Sequence, residues 1–162
     1  MMQTDKEAAE RLLKNVGNDV RRLSHELIPP RFDNASLSEL VCTYCQSMSA
    51  ENGTIVKPFV SRSFEKLNLP SRTALEVYRI VQESVSNAIK YGYSKMITVT
   101  LDASNNQASL CIANDISPEH PITQGKMGIG KDTLKMRTEA LKAILTISEQ
   151  DEEYKVEVRF PL

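Results

Sequence analysis

The chain has 162 residues, of which 41% are hydrophobic and 25% charged, and its formal net charge is -1. That length supports one domain with its own core, and the absence of a long basic run argues against a nucleic-acid partner. No apolar run approaches a membrane span and no signal peptide opens the chain, so no membrane contact is expected from this segment.

Residues 5–28 read as one helix. Leu13, Val16, Val20, Leu23 and Leu27 step by three and four, which is a bundle seam of about two heptads. Such a helix must dock on the domain that follows or pair with a second copy. Pro29 and Pro30 end it, because proline cannot donate a backbone hydrogen bond and restricts the residue before it. Ser36 to Met48 is helical, with Ser36 or Asn34 as cap and Glu39 three residues beyond Ser36. Cys42 and Cys45 form a C-x-x-C within that helical pattern. No second pair completes a zinc site, so they and Cys111 are expected to be reduced, packed thiols. Asn52-Gly53 marks a turn. Thr54 to Val60 is a strand that Pro58 pushes towards a sheet edge. Leu67 to Thr73 is a linker, with Ser71 as cap for the next helix.

That helix, Tyr78 to Tyr91, is the centre of the chain. At about 100° per residue, Ala74, Tyr78, Val81, Val85, Ala88 and Ile89 form a core-facing stripe. Arg79, Glu83, Asn87 and Lys90 fall opposite, an acid, an amide and an ammonium along one edge. Met96 to Leu101 alternates as a strand, with Ile97, Val99 and Leu101 on one face. Asn105-Asn106 turns it into a second strand, Ala108 to Ala113. Asn114 to Met127 is polar and leads into Gly-x-x-Gly-x-Gly at 125–130. Leu134 to Ala143 is helical. Leu145–Ser148 and Tyr154–Phe160 form a closing hairpin, with Tyr154, Val156, Val158 and Phe160 inward.

Glu83, Asn87, Ala88, Lys90 and Tyr91 resemble the N box of the histidine-kinase-type ATPases, the ATP-binding domain shared with gyrase and MutL. The run GKMGIG resembles their glycine-rich phosphate box, and Arg137, Glu139, Ala140 and Leu141 match the helix after it. Asn114 stands where an Asp is expected, Ile116 where the first glycine is, Lys131 where an apolar residue is, and Lys142-Ala143 where a glycine pair is. The L-x-P-P run at Leu27–Pro30 and the short helix after it look most like the nitrate-sensor-like kinases.

The resemblance implies a Bergerat-type α/β (α+β) two-layer sandwich, a mixed sheet with helices on one face, over residues 31–162. Residues 1–30 would be a helix left over from a dimerisation bundle. It implies ATP and Mg²⁺ as ligands, with Glu83 as catalytic base or water-orienting acid, Asn87 as Mg²⁺ ligand and Lys90 as phosphate contact. Tyr91 and Asn114 would face adenine, Gly128 and Gly130 would line the phosphate loop, and Ile116 to Met127 would form a lid ordered by nucleotide. Asn accepts as Asp does but without charge. Ile does not adopt positive φ cheaply.

The implied function is the catalytic ATP-binding domain of a two-component sensor histidine kinase acting on a histidine outside this segment. Its partners would be the phosphoacceptor segment of the same kinase and a response regulator, with a homodimer through the N-terminal helix left open. Its place would be the cytoplasm, with room for a membrane anchor elsewhere in the kinase. His25 sits in an S-H-E-L-x-x-P context like a phosphoacceptor box. The interval from His25 to Asn87 has no room for the second bundle helix that such a box requires, so His25 reads as a surface histidine. His120 lies in a loop. Two alternatives stand beside this reading: a non-catalytic relative used for docking or phosphotransfer, and a serine kinase of the anti-sigma-factor type, to which Asn87 to Tyr93 is also similar.

Overall fold

Local signals start and stop the elements. In a computed structural model, the structure describes residues 6, 8–17, 20, 32, 34–92, 94–116, 128–150 and 152–162. It divides into two units, Met1–Arg31 and Phe32–Leu162. In the first, residues 8–17 are helical (α1), and Leu13, Val16 and Val20 of the seam are exposed. Leu23, His25, Leu27, Pro29 and Pro30 lie outside the described residues, as does His120.

The second unit opens with α2 (Leu37–Asn52). The Ser36 hydroxyl accepts from the Glu39 N–H at 3.2 Å, and a Glu39 carboxylate oxygen accepts from the Ser36 N–H at 2.7 Å, a reciprocal capping box. The Ser36 N–H, and secondarily the Ser36 hydroxyl at 3.0 Å, donate to the ionised carboxylate and hold the Glu39 carboxyl below its ordinary value. Gly53, at φ 68°, ends the helix. Then follow β1 (Ile55–Val60), α3 (Arg62–Glu65) and α4 (Ser71–Gly92). Two expectations change here. The span from β1 to α4 holds a helical turn capped by Ser61, which buries Phe64. And Ser71 lies inside α4, because the Pro70 carbonyl already takes the first helical bond, from Ala74 at 2.9 Å.

Two hairpins complete the unit. β2 (Met96–Ser104) and β3 (Gln107–Asp115) join through Asn105 and Asn106, both at positive φ as a primed two-residue turn requires. After α5 (Gly128–Ala140) come β4 (Ile144–Gln150) and β5 (Glu153–Pro161). The sheet order is β1-β2-β3-β5-β4. Only the β1–β2 pair is parallel, and its crossover runs through α3 and α4. Ile97, Val99, Leu101, Leu110, Ile112, Val156, Val158 and Phe160 bury one sheet face with the helices. On the other face Ile55, Phe59 and Met96 are exposed. The result is a two-layer α/β sandwich with a mixed sheet. β1 is an edge strand, and its outer side is blunted by Pro58 and by the Ser49 hydroxyl, which bonds both the N–H and the carbonyl of Val56.

The end of α5 carries strain. Ala143 N–H bonds the Thr138 carbonyl and Lys142 N–H the Glu139 carbonyl, a Schellman ending that puts Lys142 at φ 53°. A glycine there has no Cβ to strain. Lys142→Gly is therefore expected to raise stability by about 1 kcal/mol in urea unfolding; a loss of stability would show that the lysine side chain contributes more than its backbone costs.

Candidate functional site

α4 is buried on nearly every side because α2, α5, β2 and β3 all pack on it. Ile80, Val81 and Val85 are fully buried, and three polar residues, Gln82, Ser84 and Asn87, are buried as well. Asn87 is 9% exposed although its angle lies opposite the apolar stripe, so that edge is covered at Asn87. Its Nδ2 donates to Glu83 Oε1 at 3.0 Å. A carboxylate can only accept, so the amide nitrogen must face Glu83 and Oδ1 must point away from it. Glu83 is partly exposed, Lys90 is exposed, and Tyr91 is half-buried against the core.

Since β2 starts where α4 ends, the start of β2 and the end of β3 lie beside the last turns of α4. Asn114 sits there on the helix-covered face at 4% exposure, cross-strand from Ile97 on one side and Tyr154 on the other. Its Nδ2 donates to Ser94 Oγ at 2.9 Å and to the Asp115 carbonyl at 3.1 Å, while the Ser94 hydroxyl donates to that same carbonyl at 2.9 Å. The Ser94 carbonyl in turn accepts from the Thr54 hydroxyl at 3.2 Å. Asp115 points to the other side, and its carboxylate accepts the N–H groups of Lys95 and Met96 at 3.3 and 3.1 Å. It caps β2 and does not replace Asn114. Ile116 is not at positive φ; its N–H bonds the Glu152 carbonyl at 2.7 Å, so the strand ladder runs one bond further and no glycine is required there.

Gly128 and Gly130 lie in the first turn of α5, not in a loop ahead of it, and so belong to the part of a helix whose N–H groups lack internal partners. Residues 117–127, which hold the rest of the expected lid and glycine box, lie outside the described residues. Arg137 bonds Glu76 at 3.0 Å and ties α5 to α4. Among the described residues, three buried side-chain polar atoms have no hydrogen-bond partner: Ser84 Oγ, Arg137 Nε and Tyr154 OH.

The sequence pointed to Glu83 and Asn87, which the structure joins directly. It did not point to Ser94 or Tyr154 as neighbours of Asn114, or to Glu76 as the partner of Arg137, because their roles come from pairings distant in sequence.

No protein-family profile matches the chain. It is 24% identical over 136 residues to the sensor histidine kinase MctS of Rhizobium johnstonii, covering 82% of this chain and 29% of that protein. It is 30% identical over 97 residues to the oxygen sensor histidine kinase NreB of Staphylococcus carnosus, covering 60% of this chain and 27% of that protein. The chain thus spans less than a third of the length of either curated relative. Among solved structures, the histidine kinase domain of a blue-light-activated histidine kinase from Erythrobacter litoralis superposes with a TM-score of 0.64 at 16% identity, covering 78% of this chain and 61% of that one. The fold is that of a histidine-kinase ATP-binding domain. Within that histidine-kinase fold, Glu83 and Asn87 lie on the long central helix and Asn114 at the end of the strand packed beneath it.

Proposed function

We propose that this chain is the ATP-binding catalytic part of a two-component sensor histidine kinase, passing the γ-phosphoryl group of ATP to a histidine outside this segment. The observation that carries the reading is the Glu83–Asn87 pair, an acid and an amide whose free oxygen has a defined direction on a buried helix edge.

Asn87 Oδ1 is a hard oxygen turned away from its carboxylate neighbour, which fits Mg²⁺, an ion that takes one or two protein oxygens plus water and substrate phosphates. Among the described residues no group of three His, Cys, Asp or Glu could form a denser metal cage. Asn87 would hold the ion, which when bound supplies charge neutralisation on the phosphates. Glu83 accepts from Asn87 through one oxygen and keeps the other for the proton of the attacking imidazole. The new P–N bond forms as the bond from the γ-phosphorus to the β,γ-bridging oxygen breaks, and Glu83 takes the imidazole proton. Lys90 is exposed and long enough to meet phosphate oxygens, and Tyr91 and Asn114 flank the place for adenine. Gly128 and Gly130 open a helix whose first N–H groups suit phosphate.

The remaining partners follow from the same reading: a phosphoacceptor segment of the same kinase, a response regulator, and a second copy along the exposed Leu13, Val16 and Val20 seam. No helix among the described residues is long and apolar enough to cross a membrane. A cytoplasmic catalytic segment is the placement this reading needs. The retained Glu83–Asn87 pair supports a catalytic domain over a docking or phosphotransfer module.

Glu83→Gln tests the assignment. Gln can still accept from Asn87, so affinity for a non-hydrolysable ATP analogue should stay within about threefold, while phosphoryl transfer from ATP to a separately supplied phosphoacceptor-histidine segment should slow about 10²–10⁴-fold. Unchanged turnover would remove Glu83 from the chemistry.

A further inference from the structure

Asn at position 114 raises a problem that Asp would not. A carboxylate presents two equivalent acceptors, whereas an amide presents an acceptor or a donor according to which way it is turned. Here the turn is determined. The Asp115 carbonyl can only accept, and it takes the Ser94 proton. Ser94 Oγ is left with its lone pairs, and both groups therefore require N–H from Asn114. Oδ1 is the part of the amide that remains, an acceptor on the helix-covered face of the sheet.

Directly across the ladder stands Tyr154, on the same face and 7% exposed. Side chains opposite one another in an antiparallel pair are close neighbours. Its hydroxyl is buried without a hydrogen-bond partner, a costly state for a polar group. Burial, and secondarily the Glu149 charge, hold this phenol protonated beyond its ordinary range, so the donor persists at neutral and alkaline pH.

We propose that Tyr154 and Ser94 complete a base-reading edge: Ser94 locks Asn114 as an acceptor, and the Tyr154 hydroxyl supplies the donor beside it. An acceptor next to a donor is the complement of the adenine edge that carries N6–H and N1, where a base can be read by hydrogen bonding. Guanine presents a carbonyl oxygen where adenine presents N6–H, which would place two acceptors face to face at Asn114. The phenol can rotate to donate or accept. Discrimination between bases therefore rests on the lock that Ser94 and the Asp115 carbonyl place on Asn114, and affinity on Tyr154. This inference depends on the nucleotide reading above.

The test is calorimetric titration of the 162-residue chain with non-hydrolysable ATP and GTP analogues. Tyr154→Phe keeps the ring and its packing and removes only the unpaired hydroxyl. It should weaken ATP-analogue binding about tenfold without lowering the melting temperature of the free protein. Ser94→Ala removes one of the two acceptors that hold the amide nitrogen, leaving the Asp115 carbonyl, and should narrow the preference for the ATP over the GTP analogue about threefold. Wild-type affinity in Tyr154→Phe, or an unchanged preference in a folded Ser94→Ala, overturns this inference while leaving the kinase reading in place. A wild type that binds neither analogue overturns both.

Discussion

Asn87→Ala is expected to remove the Mg²⁺-dependent part of nucleotide binding and to lower phosphoryl transfer about 10²–10³-fold. In the proposed reading the Asn87 amide oxygen is the ligand to the ion, and alanine has none. The substitution also takes away the N–H that Glu83 Oε1 accepts at 3.0 Å. Glu83 is partly exposed, so water can replace that donor, and the fold should lose only about 1 kcal/mol. The two effects separate cleanly. A thermal melt close to wild type, combined with binding that no longer responds to Mg²⁺, assigns the loss to the site. Binding that still strengthens with Mg²⁺ would place the ion elsewhere.

Phe160→Ala should produce the largest change in stability, about 3–5 kcal/mol. Phe160 is 1% exposed on β5, an interior strand, and faces Ala108 across the ladder, where a small partner leaves room for the ring. A loss of that size is a large share of the roughly 5–15 kcal/mol by which ordinary domains are stable. In urea it should move the unfolding midpoint down by about 2 M, taking a slope of about 1–3 kcal/mol per molar. Phe59→Ala is the control. Phe59 is 54% exposed on the open face of the sheet, and its loss should change stability by less than about 0.5 kcal/mol. A small effect at Phe160 would mean that this end of the core collapses around the cavity at little cost.

The contrast between those two phenylalanines shows what sequence pattern can and cannot carry. Alternation in β2 and β5 identified the buried face, because a strand's period of two sorts side chains without reference to anything distant. Asn105-Asn106 was legible for the same reason: the primed turn is a local requirement, and both residues take positive φ. The four residues of α3 are too few for a period to register, and its cue was a single serine cap. Ser71 looked like a cap because serine usually is one, but the chain begins the helix from Pro70.

The site divides along the same line. Glu83 and Asn87 are one turn apart, so their spacing alone placed them together. The edge that holds them lies opposite the apolar stripe, and only the packing of neighbouring elements on α4 buries Asn87. Ser94 meets Asn114 across 20 positions of chain, and Tyr154 meets it across a strand ladder that also encloses α5 and a second hairpin. No short motif encodes such meetings. The replacement of Asp by Asn at 114 was visible in the sequence; what compensates for it was not.

The central claim is nucleotide binding between α4 and the end of β3. Its most direct test is calorimetric titration of the wild-type chain with a non-hydrolysable ATP analogue, with and without Mg²⁺. Saturable one-site binding with a Kd of about 1 μM–1 mM, tightened by Mg²⁺, is the predicted result. A folded protein that gives no binding heat at millimolar analogue under either condition would contradict it.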